Sequence, residues 1–227
     1  MKIDLKSSIH DKQFLHIIAF GSSNTARHLP GMHWFDVFEL GFRHTFGHAG
    51  ACINSGRGGD TTVDLLSRFD RDCAAYKPDF VFITIGGNDA NPDRKLSADA
   101  YRKNLVLIIQ KLKAMNTSVI LQTYYAPDNR NMTPDFMSAF NERMNIVRET
   151  AASMDTALID HCARWERLRE RHYDIYRPLM TDAMHVNHFG NMVIGLDIAR
   201  ALNLLMPDDA LFIAPRAIQS LMDSEEK

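Results

Sequence analysis

The stretch Asp79-Phe80-Val81-Phe82-Ile83-Thr84-Ile85, followed directly by Gly86-Gly87-Asn88-Asp89, decides the fold. Its run of β-branched and aromatic side chains shows no polar alternation. That suits a strand covered on both faces, and Gly-Gly-Asn-Asp has the composition of a turn. Shorter runs of the same kind flank it: Leu15–Phe20 and Ala51–Asn54 before, Ser118–Thr123 and Ala157–Asp160 after. Between them the spacing becomes helical. Leu105, Ile108, Ile109 and Leu112 stand at i, i+3, i+4 and i+7 behind Ser97 as a cap. Phe136, Phe140, Met144 and Val147 form a second stripe, with Thr133 and Pro134 as its cap and first helical residue. Ile194, Ile198, Ala201 and Leu202 form a third behind Asn187, and Pro207 is expected just past its last turn. Such alternation implies crossover connections, hence a mainly parallel sheet of about five strands with helices on both faces.

The chain has 227 residues, which suits one domain with a sizeable core, favoured over two small ones. A single domain over 1–227 is expected, with 1–13 and 215–227 as peripheral extensions and Ser224-Glu225-Glu226-Lys227 as a frayed end. The net charge is -2 and no stretch forms a basic stripe, so neither nucleic acid nor an anionic membrane surface is implied as a partner. The three cysteines, Cys52, Cys73 and Cys162, form no C-x-x-C pair, which argues against a disulfide framework or a cysteine-rich zinc site. Cys52, in a strand-like run, and Cys73, on a helical pattern, are expected to be core thiols. Met1 to Lys12 contains no uninterrupted apolar region of a signal peptide, and no run approaches the roughly 20 apolar residues that span a bilayer. The expectation is a cytoplasmic protein without membrane anchoring, or a secreted one if a leader has been removed.

In a parallel sheet, ligands gather at the carboxyl ends of the strands. The loops after the first three strands, Gly21–Thr25, Ser55–Thr62 and Gly86–Asp89, should therefore share one edge. The first carries Ser22, Ser23 and Thr25, either a nucleophile or the cap of the next helix. In the second, Asn54-Ser55-Gly56-Arg57-Gly58-Gly59-Asp60-Thr61-Thr62, backbone N–H groups before a helix can hold an oxyanion, or the residues simply turn and cap. A phosphate cradle is the rival, but neither the Walker lysine nor G-x-G-x-x-G after the first strand is present. In the third, the Asn88 amide is a neutral donor suited to an oxyanion, or part of a plain turn. A fourth segment, Asp182-Ala183-Met184-His185-Val186-Asn187, places a carboxylate where it can orient an imidazole. Asp182, His185 and His188 could instead suggest a metal. The helical zinc signature places two histidines at i, i+4, however, and no further ligand cluster is visible, so no metal is expected.

Taken in order, the four segments resemble the four blocks of the SGNH hydrolases, also called the GDSL lipase/esterase family. The resemblance covers nearly the whole chain. Gly21-Ser22-Ser23-Asn24-Thr25 is similar to the family's Gly-Asp-Ser-x-Thr block and aligns Ser23 with the nucleophile. Asn54 through Thr61 matches Asn-x-x-x-x-Gly-Asp-Thr, with Gly59 at the backbone oxyanion position. Gly86-Gly87-Asn88-Asp89 matches Gly-x-Asn-Asp, with Asn88 as side-chain oxyanion donor. Asp182 to Asn187 matches Asp-x-x-His-x-Asn, with His185 as general base and Asp182 as its orienting partner. One departure stands out: Ser22 replaces the aspartate that usually precedes the nucleophile. It leaves two adjacent serines, of which the spacing to Thr25 favours Ser23.

The resemblance implies a flavodoxin-like, three-layer α/β/α sandwich. It also implies a serine esterase that works through an acyl-enzyme, with Ser23 N–H, Gly59 N–H and the Asn88 side chain as oxyanion hole. No cofactor is required. The expected substrate is a small-molecule or carbohydrate ester, with acetyl esters favoured. Tyr124 and Tyr125, near Pro127, are weak candidates for lining the substrate pocket, with loop packing as the alternative; Trp34 and Phe35 share that ambiguity. An acyltransferase using the same triad, or an inactive carbohydrate- or ligand-binding module, remains open. A flavodoxin-like redox or signalling domain would need a cofactor or phosphate site that the sequence does not display.

Overall fold

The computed structural model describes residues 5–225. Five strands form where the apolar runs lie: β1 (Leu15–Gly21), β2 (Gly50–Gly56), β3 (Phe80–Thr84), β4 (Ser118–Gln122) and β5 (Ala157–Ile159). All pair in parallel, in the order β2-β1-β3-β4-β5. This is the flavodoxin-like order, in which the progression of strands across the sheet switches sides between β1 and β3. Every residue of β3 is buried, as its unbroken apolar run requires. β2 is longer than expected because all seven of its residues pair with β1, from Leu15↔Gly50 to Gly21↔Gly56.

The helices are α1 (Leu5–Lys12), α2 (Trp34–Phe46), α3 (Thr62–Asp72), α4 (Ala98–Ala114), α5 (Pro134–Ser153), α6 (His161–Arg171), α7 (Tyr173–Tyr176), α8 (His188–Ala201) and α9 (Ile213–Ser224). The expected caps form. Ser97 accepts from Ala100 N–H, Thr133 from Phe136 N–H, and Asn187 from Phe189 and Gly190 N–H. α6 carries only a narrow apolar row in a sequence dominated by charge. Its inner face nevertheless buries Cys162, Trp165, Leu168 and Arg169. α8 closes at Ala201, and Asn203 takes a left-handed φ of 55°. Pro207 therefore lies well beyond the helix rather than just after it.

The chain divides into two compact units. The first comprises residues up to Arg27, Gly50–Tyr124 and Met132–Asp160, and so holds the whole sheet with α1, α3, α4 and α5. Phe20, Phe82, Ile83, Leu105, Ile108 and Phe140 are among its buried core. Full burial of each such side chain contributes roughly 1.5–3 kcal/mol. The second unit comprises His28–Ala49, Tyr125–Asn131 and the chain from His161, with α2, α6, α7, α8 and α9. There Val37, Met192, Leu196 and Phe212 form one cluster.

Of the two expected core thiols, one holds and one is corrected. Cys52 is only half-buried, because β2 is less covered than β3. Cys73 is a buried core thiol as expected, at the cap of α3. Burial pushes its thiol up to about 12, with Arg68 opposing. Of the expected frayed end, Ser224 closes α9 and Glu225 carries ion pairs to Arg171 and His172, while Glu226 and Lys227 lie outside the described residues. Among the described residues, no helix is long and apolar enough to cross a membrane.

Candidate active site

Within the first unit, the parallel register brings the carboxyl ends of β1, β2 and β3 to one sheet edge. The turn after β1 is closed by Thr25 and Ala26 N–H, both donating to Ser22 O at 3.0 and 2.9 Å. This turn separates the two adjacent serines. Ser22 is fully buried, with its Oγ 2.7 Å from the Tyr124 hydroxyl. Ser23 is only partly buried.

The second loop is tied to the first. Asn54 Nδ2 donates to Thr25 O at 2.8 Å, and Arg57 N–H donates to Gly21 O at 3.0 Å. A Cβ on Gly56 would stand 2.2 Å from Ala26 N and 2.3 Å from Thr25 C, so only glycine lets the two backbones approach this closely. Gly59 has φ +83°, a left-handed conformation, just before α3. At the start of α3, Asp64 accepts from both Thr61 N–H and Thr61 Oγ1 at 2.8 and 2.7 Å. The capping reading of this loop is thus real and coexists with its glycine turn.

Asn88 lies in the third loop, partly buried, and donates from Nδ2 to Asp60 O at 2.8 Å, which couples the second and third loops. Its neighbour Asp89 is buried and accepts from Thr62 N–H and Oγ1 at 2.8 and 2.6 Å. Burial raises its pKa, against the Thr62 hydrogen bonds.

Sequence reasoning missed the residue that joins these loops from below. Arg68 on α3 is buried, pairs with Asp60 at 2.6 Å, and donates to Ser55 O at 2.9 Å and Gly21 O at 3.0 Å. Its guanidinium stacks 4.5 Å from the Phe20 ring. The available signal was a cation on the stripe Leu65–Arg68–Phe69, an otherwise apolar face.

Asp182 and His185 belong to the second unit. His185 Nδ1 lies 2.8 Å from Asp182 Oδ2, while Asp182 Oδ1 accepts from the N–H groups of Met184 and His185, both at 2.7 Å. Burial pushes the Asp182 pKa up. The hydrogen bonds from Met184 and His185 outweigh it and hold the carboxyl below its usual range. The His28 ring meets His185 edge-on at 5.9 Å. Asn187 caps α8, and its Nδ2 donates to Pro178 O at 2.7 Å.

Tyr124 and Tyr125 are 2% and 3% exposed, so both are packed and hydrogen-bonded instead of presenting a face to solvent. Burial pushes the Tyr124 phenol up to about 12, against hydrogen bonds from Ser22, Gly87 and Asn24. Tyr125 Oη donates to Met184 O and accepts from Val186 N–H, one residue on either side of His185. Trp34 and Phe35 are likewise buried, in the aromatic row of α2. A polar cavity of about 310 Å³ adjoins Gly59 in the first unit, with Arg57, Asp64 and Arg94 in its walls. A larger one, about 590 Å³, lies along α4 and α5 and touches none of the candidate residues.

Residues 19–193 match the GDSL-like lipase/acylhydrolase family. The chain belongs to that family. The matched span includes Ser23, Gly59, Asn88, Asp182 and His185, so the resemblance read from the four blocks holds. An acetylxylan esterase of Geobacillus stearothermophilus is 24% identical over 172 residues, covering 72% of this chain and 74% of that one. The lipoprotein YqeF of Bacillus subtilis is 31% identical over 118 residues, 47% of each chain, so this chain spans about half the length of that relative in the match. The crystal structure of a lipase/acylhydrolase from Enterococcus faecalis is similar with a TM-score of 0.69 at 26% identity, covering 86% of this chain and 100% of that one. The fold is the α/β fold of these GDSL-like family members, built on the five-stranded parallel sheet.

Proposed function

We propose that this GDSL-like family member is a serine esterase that cleaves small acyl esters, acetyl esters above all, with Ser23 as nucleophile. His185 is the general base and Asp182 its orienting partner. The oxyanion hole comprises the N–H groups of Ser23 and Gly59 and the Asn88 side chain.

The observation that carries the reading is the Asp182–His185 pair, a carboxylate oxygen 2.8 Å from Nδ1 inside a family-matched segment. With Nδ1–H directed at Asp182, the neutral ring carries its basic lone pair on Nε2. Ser23 Oγ attacks the ester carbonyl carbon as Nε2 takes its proton. The tetrahedral oxyanion is held by the three donors, and its collapse expels the alcohol, which takes the proton from His185. Water attacks the acyl-enzyme by the same route, releasing the carboxylic acid and restoring Ser23. An amide NH2 carries two donors, and the bond to Asp60 O uses one of the Asn88 pair. Ser23 is favoured over Ser22 because the Ser22 hydroxyl is buried against Tyr124.

The relative named as an acetylxylan esterase supports an acetylated carbohydrate as substrate. So does the polar cavity beside Gly59, whose charged walls offer hydrogen-bond partners to sugar hydroxyls. The test is hydrolysis of p-nitrophenyl esters of increasing chain length by wild type, Ser23→Ala and Ser22→Ala. Turnover should be highest on acetate and absent in Ser23→Ala, where a fluorophosphonate should no longer label the protein. Full turnover in Ser23→Ala with loss in Ser22→Ala would overturn the assignment.

A further inference from the structure

We infer that Tyr125 is a positioning residue for His185, acting through the backbone on both sides of the imidazole and not through substrate. The inference rests on the reading of His185 as general base. The Tyr125 hydroxyl donates to Met184 O at 2.6 Å and accepts from the buried Val186 N–H at 3.0 Å. One phenol thus bridges the residues before and after His185. Further ties hold the same turn. Asp128 N–H donates to Ala183 O at 2.8 Å, and Met180 pairs antiparallel with Val186. Ala183, Met184 and Val186 are therefore all held from the segment that begins at Tyr125.

That segment is itself rigidly seated. The Tyr125 ring packs 5.3 Å from the Trp165 ring, and Trp165 is fully buried. The Asp128 carboxylate, also fully buried, accepts from Tyr173 Oη at 3.0 Å and Asn131 Nδ2 at 2.8 Å. The backbone on either side of His185 is thus anchored to a packed aromatic cluster, although the Asp182 carboxylate is itself largely exposed. Proton transfer depends steeply on placement, and a shift of about 1 Å in a catalytic group can cost about 100-fold in rate. Removing one hydroxyl from this bridge loosens the turn on both sides of His185 without touching the imidazole or its carboxylate.

The test compares wild type, Tyr125→Phe, Asp182→Asn and the double variant on p-nitrophenyl acetate, with kcat normalised to titrated sites. Tyr125→Phe should lower kcat about 10- to 100-fold with KM changed by less than about 2-fold. In the Asp182→Asn background the same change should cost little more, because both substitutions act on one device. Thr117→Val, which removes a buried hydroxyl bonded to Pro78 O in the first unit, controls for stability alone and should lower Tm without lowering kcat. Unchanged kcat per site in Tyr125→Phe, or the same factor in both backgrounds, would overturn the proposal. Independently of any variant, the Val186 amide of the wild-type protein should exchange slowly with deuterium. Exchange as fast as an exposed loop amide would show that the bridge is not made. Full activity in Asp182→Asn alone would count against Asp182 as the orienting partner of His185, a separate failure.

Discussion

The Ser22 and Tyr124 hydroxyls meet at 2.7 Å in a fully buried contact, directly before Ser23. Burial holds the phenol protonated far into the alkaline range, so a neutral hydroxyl pair lies beneath the turn that carries Ser23. Ser22→Ala should therefore behave as a stability variant. The lost hydrogen bond should cost about 1 kcal/mol, read from urea unfolding, while kcat stays within a few-fold of wild type. A collapse of kcat in a folded Ser22→Ala protein would move the chemistry from Ser23 to Ser22.

Asn88 bonds Asp60 O with one amide hydrogen. Asn88→Ala should lower kcat about 10²- to 10³-fold, the cost of one oxyanion donor, with KM little changed. Asn88→Asp keeps the shape but loses the donors, and should be equally impaired. An active Asn88→Asp enzyme would remove Asn88 from the oxyanion hole.

The depressed pKa of Asp182 has a signed consequence for stability. A carboxyl whose folded pKa lies below its unfolded value stabilises the fold above the unfolded pKa of about 3.9. That contribution disappears as pH falls through the lower folded value. Because the Met184 and His185 bonds prevail over burial, the Asp182 carboxylate stays ionised throughout the neutral range. Urea midpoints measured between pH 7 and pH 3 should fall less steeply in Asp182→Asn than in wild type. Parallel curves would mean that the carboxylate does not gain from its hydrogen bonds in the fold.

Arg68 neutralises the buried Asp60 and ties Gly21 O to Ser55 O. Arg68→Met would leave Asp60 as an uncompensated buried charge, at a cost of about 3–5 kcal/mol. Arg68→Met combined with Asp60→Asn should recover part of that loss. Thermal unfolding of the two variants against wild type reads the difference, and absence of any recovery would assign the cost to the carbonyl contacts instead.

What could be read beforehand follows from what each element buries. β3 is covered on both faces and announces itself as an unbroken apolar run, and the caps Ser97, Thr133 and Asn187 mark the starts of their helices. The carboxyl-edge loops were legible because glycine, serine and asparagine follow strands. α6 was not, since its charged residues obscure the buried row of Cys162, Trp165 and Leu168. The roles of Arg68, Tyr124 and Tyr125 were hidden for a different reason. Each acts through contacts with residues distant in the chain, such as Gly21 O, Ser22 and Met184 O, and no local pattern encodes these.

The contact at Gly56 bears on how this enzyme could be altered. Any side chain there would collide with the Thr25–Ala26 peptide, whereas a Cβ on Gly58 meets nothing within 4 Å. A library built to change substrate preference can therefore explore Arg57 and Gly58 widely. Gly56 has to stay fixed. The residue with no functional group of its own is the one that variation can least reach, because the spacing of the turn that carries Ser23 is set by the atoms it lacks.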